Sequence, residues 1–120
     1  MRDTAAALYT FFSSFGIPAY VEYNVPDNAA LPYITYELRD PEAGEQSSLA
    51  ARVWYMDTGF GAIADKVDQI KNALGRGKSI PTDTGAIWLW PNNPFCQFQP
   101  PDEPKIKIAY LLLIIGAYKE

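Results

Sequence analysis

A chain of 120 residues, 48% hydrophobic and 20% charged, suits one domain and is globular rather than disordered. Ten basic residues against fourteen acidic ones give a net charge of −4, which argues against a phosphate-binding surface. Histidine is absent and Cys96 is the single cysteine. The commonest general base, the commonest transition-metal ligand, an intramolecular disulfide and a thiolate metal site are thereby removed, and a reducing compartment is expected.

Asp3 reads as the N-cap of a first helix reaching about Phe15, with Leu8, Phe11, Phe12 and Phe15 at helical spacing and Gly16 just past its end. Pro18 stops that helix, and Ala19-Tyr20-Val21-Glu22-Tyr23 reads as a short strand. Turn formers from Asn24 to Ala30 lead to residues 31–38, the cleanest strand of the chain. There Ile34, Tyr36 and Leu38 fall on one face and Tyr33, Thr35 and Glu37 on the other. Pro32 stands at its entrance, where a missing ladder donor is tolerated. Residues 39–46 are polar, with a Pro and a Gly, and read as a long hairpin connection. Residues 48–56 return as a strand, with Leu49, Ala51, Val53 and Tyr55 opposed to Arg52, Trp54 and Met56.

Asp57-Thr58-Gly59 offers an N-cap to a second helix reaching about Leu74. Ile63, Val67, Ile70 and Leu74 form its apolar stripe, and Gly75 is a fitting C-cap. After the Asp83-Thr84-Gly85 turn, Ile87-Trp88-Leu89-Trp90 is a strand that Pro91 through Pro94 breaks. Residues 95–99 form another short strand, and residues 99–104 a stiff Pro-rich loop. The last strand begins at Lys105 with one wet face and becomes apolar on both faces over residues 110–115. Such a strand needs cover on each side: a helix on one, and the monomer itself or a neighbouring subunit on the other. Its apolar run is too short to span a bilayer, and Met1-Arg2-Asp3 does not open a signal peptide, so a soluble protein is expected. The order α-β-β-β-α-β-β-β defines a single α+β domain over 1–120, an antiparallel or mixed sheet with two helices mainly on one face.

The chain offers little chemistry. Cys96 has no activating base and reads as a packed thiol. Gly75-Arg76-Gly77-Lys78-Ser79 resembles the end of a phosphate loop, but Asn72 occupies the place of the first glycine, and the segment follows a helix instead of preceding one. Asp65 and Asp68 are interspersed with Lys66 and Lys71, a solvated helix face. The aromatic content is high at 14%, with three Trp and eight Tyr, residues favoured at protein interfaces and also in small cores. Acidity is local: Glu22, Asp27, Glu37, Asp40, Glu42 and Glu45 stand against Arg39 alone, an edge suited to steering a partner or to a solvated loop.

Laid end to end, the pieces resemble a known family. A helix running through Leu8-Tyr9-Thr10-Phe11-Phe12-Ser13-Ser14-Phe15-Gly16-Ile17-Pro18 is followed by Val25-Pro26-Asp27 and Leu31-Pro32-Tyr33-Ile34-Thr35-Tyr36-Glu37. Val53-Trp54-Tyr55, a helix, Asp83-Thr84-Gly85-Ala86-Ile87-Trp88-Leu89 and a terminal apolar strand complete the series. The series is similar to the tail terminator (tail completion, head–tail joining or minor capsid) proteins of long-tailed bacteriophages.

The resemblance implies a non-enzymatic virion protein of the tail and neck, assembled in the bacterial cytoplasm, with no cofactor, no metal and no membrane. Six copies would ring the last ring of the tail tube, end its polymerisation and present a surface to the head connector. DNA would pass through the lumen without specific binding, and Glu22, Asp27 and Glu37 are candidate lumen acids. Residues 39–46 and 91–104 are candidates for contact with tube or connector, among them Asp40, Glu42, Glu45, Phe95, Asp102 and Glu103. Trp54, Trp88 and Trp90 are candidates for subunit contact or for core packing. The alternatives are another neck protein, such as a head-closure or connector adaptor, and a small-ligand binding module, which needs a concave aromatic pocket.

Overall fold

A computed structural model describes residues 1–100 and 103–119. The chain runs α1 (Arg2–Phe12), a 3-10 turn (Ser13–Phe15), β1 (Ala19–Val21), β2 (Tyr33–Tyr36), β3 (Gln46–Met56), α2 (Gly61–Leu74), β4 (Lys78–Thr82), β5 (Gly85–Gln99) and β6 (Ile106–Lys119). One six-stranded sheet takes the order β1-β2-β3-β6-β5-β4. β1 pairs with β2 in parallel and every other pair is antiparallel, so the sheet is mixed and the domain is α+β. No helix among the described residues is long and apolar enough to cross a membrane.

β3 pairs with β6 over its whole length, from Gln46 opposite Gly116 to Met56 opposite Ile106. Alternation then sorts their side chains. Leu49, Ala51 and Val53 of β3 share a face with Leu113, Leu111 and Ala109 of β6, and all six are buried. Both helices cover that face. α2 contributes Ile63, Val67, Ile70 and Leu74 to the core. α1 contributes Leu8, Phe11 and Phe12, with Phe12 stacked on Tyr36 at 4.7 Å between ring centroids. Burial of aliphatic and aromatic side chains at about 25 cal/mol per Å² is what offsets the entropy of ordering the sheet.

The local expectations need correction at several points. α1 begins at Arg2, so Asp3 lies in its first turn and accepts a hydrogen bond from the Thr84 hydroxyl at 2.9 Å. Helical residues past Phe12 tighten into the 3-10 turn, which Gly16 ends at a φ of 81°. α2 starts at Gly61 with no side-chain cap; Asp57 instead accepts from the Thr58 backbone N–H at 2.7 Å. The clean strand around Ile34 is four residues long, from Tyr33 to Tyr36.

The last three strands also differ from those read in the sequence. Lys78–Thr82 is a strand, β4, at the edge of the sheet, where the sequence suggests only a basic turn. Residues 87–90 and 95–99 belong to one strand, β5. The Pro91–Pro94 segment does not break it but is accommodated as a bulge, between Pro91 opposite Leu113 and Cys96 opposite Leu111.

Candidate functional site

The face of the sheet away from the helices is not covered by any element among the described residues. On it the register lines up Trp54 with Ile108, Arg52 with Tyr110, Ala50 with Leu112, and Trp90 with Ile114. Of these, Trp54, Trp90, Ile108, Tyr110, Leu112 and Ile114 are only partly buried. β6 therefore stands in the middle of the sheet with helical cover on one face and an apolar surface on the other. Sheet faces of this composition are unusual on an isolated chain.

Two aromatic groups lie on this face, with an arginine between them in the sheet. At one end Tyr20, Tyr33 and Trp54 meet ring to ring, with centroids 5.7 and 6.0 Å apart, and the Trp54 indole N–H donates to the Thr35 hydroxyl at 3.0 Å. Arg52 lies over the Tyr110 ring at 4.9 Å, donates to Gln99 at 3.2 Å and pairs with Glu22. Towards β4, Trp88 and Trp90 stack at 6.2 Å with their planes 15° apart.

Trp90 is held by two glycines. A Cβ at Gly116 would stand 3.1 Å from the indole, and one at Gly77 would stand 2.7 Å from it. Gly77 also has a φ of 152°, which side chains rarely adopt. The three tryptophans thus have three settings: Trp54 hydrogen-bonded, Trp90 seated between glycines and Trp88 exposed.

The acidic residues are only partly gathered. Glu22, Glu37, Arg39 and Asp40 line an open groove of about 510 Å³ together with Val21 and Tyr23. Their charge is largely answered within the fold. Glu22 pairs with Arg52, Glu37 pairs with Arg39 at 3.1 Å and accepts from the Ala50 N–H at 2.7 Å, and Asp40 accepts from Thr4 at 2.5 Å. The hydrogen bond to Glu37 raises the pKa of Arg39. Asp27, Glu42 and Glu45 are exposed and do not line the groove.

Among the loop candidates, Phe95 is buried in the core and is not a surface contact residue. Glu103 is exposed, and Asp102 lies outside the described residues. No cluster of three or more His, Cys, Asp or Glu residues suited to a metal occurs among the described residues. Cys96 is partly buried, and desolvation, with Asp68 nearby, pushes its thiol pKa up. Tyr36 and Tyr55 are raised as well, each chiefly by burial.

Sequence reasoning overlooked one surface feature. Tyr23, read as the end of a strand, lies beyond β1 in a turn with a φ of 68° and is 97% exposed. Its neighbour Asn24, a residue at home in left-handed turns, is the only local hint of that geometry.

No family model and no curated protein matches the chain. A solved structure of a protein whose name carries no function matches with a TM-score of 0.57 and 12% identity, over 99% of this chain and 94% of the other. At that identity the likeness establishes the fold alone.

Proposed function

We propose that this chain is a structural subunit of a bacteriophage neck, a tail terminator that assembles into a ring, most simply of six copies, on the end of the tail tube. The uncovered apolar face of β3, β6 and β5 carries this reading, because a central strand apolar on both faces calls for a second layer that the described residues do not supply. The sequence series that resembles the terminator family adds to it. In the ring, the aromatic groups at Trp54 and Trp88 meet other protein surfaces. The tube protein and the head connector are the partners, and the virion is the destination. Catalysis has no part in the role.

The acidic lumen is supported less evenly. Glu22 and Glu37 are neutralised by Arg52 and Arg39, so they add little to any repulsion of passing DNA. Native mass over a concentration series, with negative stain, tests the assembly. A closed ring in solution or on tube ends supports the reading, and a chain that forms none in either setting overturns it. A ring that binds the connector but leaves tube growth unaffected would indicate a neck adaptor instead.

A further inference from the structure

The turn that leaves β1 displays a residue in a conformation its type rarely adopts. At a φ of 68°, Tyr23 occupies backbone space where glycine or asparagine fits at less cost. Its side chain gains nothing from the fold in return, being 97% exposed. A rigid aromatic ring held outward in this way is suited to filling a pocket on a partner.

The opposite end of the strand order offers such a pocket. β4 is the far edge of the sheet, and α1 lies against it. Phe11, Ser14, Lys78, Ser79, Ile80 and Pro81 are among the residues lining a groove of about 290 Å³ between them. Its charge is opposite to that of the Tyr23 turn. Lys78 and neighbouring Arg76 have no acidic partner among the described residues, and neither has Asp27 a basic one. Height along the sheet agrees too. Val21 is level with Tyr36, Ala51 and Leu111, which brings the Tyr23 turn to the height of Leu113. Lys78 is level with Leu89 and Ile115, two residues further along β6.

We propose that Tyr23 of one copy seats in the α1–β4 groove of the next, with Asp27 facing Arg76 and Lys78. The occupant is a second copy of this chain, and the contact rests on the ring reading. It joins two different surfaces, so each copy both gives and receives, the requirement for a cyclic assembly with more than two members.

Two variants separate the halves of the contact. Tyr23→Ala removes the ring and Thr10→Trp, on the α1 wall of the groove, fills it. Each alone raises the concentration for half-assembly by about 10-fold or more in native mass measurements. Mixed in equal amounts, they form a two-chain species, because one retains the tyrosine and the other the groove. Tyr23→Phe assembles as the wild type does. If the wild type forms rings and either disrupting variant does so at the same concentration, the contact is overturned and the ring reading stands. An effect of Tyr23→Ala seen only in binding to tube ends would seat the residue on the tube protein and overturn the copy-to-copy contact. A wild-type chain that forms no ring, alone or on tubes, removes both.

Discussion

Trp90 shows how one side chain dictates the residue types around it. Its indole occupies the space where Gly77 and Gly116 lack a Cβ, so both positions are fixed by a cross-strand neighbour. The expected cost of Gly116→Ala is about 1–3 kcal/mol by thermal or denaturant unfolding, because the new methyl must displace the ring. In a Trp90→Ala background that cost should largely vanish, a coupling that a double-mutant cycle reads directly. A second expectation concerns pH. Tyr36, Tyr55 and Cys96 all hold their protons more tightly in the fold than their ordinary values. Below those ordinary values the groups are neutral in both states and stability is unaffected. As pH rises past about 9 the unfolded chain releases these protons first, so the folded state loses ground. Melting temperature should therefore be flat near neutral pH and fall in the alkaline range, and Cys96→Ala should remove part of that fall.

At the scale of elements, β6 separates stability from the proposed assembly. Leu113 faces the helices and is fully buried, whereas Leu112 and Ile114 face the uncovered side. Leu113→Ala should cost about 2–5 kcal/mol of unfolding free energy. Leu112→Ser and Ile114→Ser should cost the isolated chain less and weaken assembly more, as read by unfolding and native mass side by side.

The same strand shows what local pattern reveals. The double-sided apolar run of β6, the alternation of β3 and the stripe of α2 follow from sequence, because each repeats a strong hydrophobic period over many residues. β4 does not: it is short, lies at an edge, contains Pro81 and buries Ile80 alone deeply. The bulge in β5 is equally obscure, since Pro91 and Pro94 look like breakers until pairing with β6 carries the strand past them. The settings of Trp54, Trp88 and Trp90 depend on register with other strands, which no local window contains. The exposure of Tyr23 depends on a turn geometry for which Asn24 is the sole local cue.

For the whole molecule, the two faces of the sheet carry different duties. One is closed by α1 and α2 into the core that holds the fold, and the other is left apolar and aromatic, with Arg52 and Glu22 fixing charge within it. In the proposed role this surface is satisfied by assembly, and a sheet with unlike edges suits a head-to-tail ring. The most direct measurement is the length distribution of growing tail tubes with and without this protein at equal tube-protein concentration. Tubes that stop elongating, each with a ring at one end, are the result expected of a terminator. Tubes that elongate unchanged, with bare ends, would contradict that role.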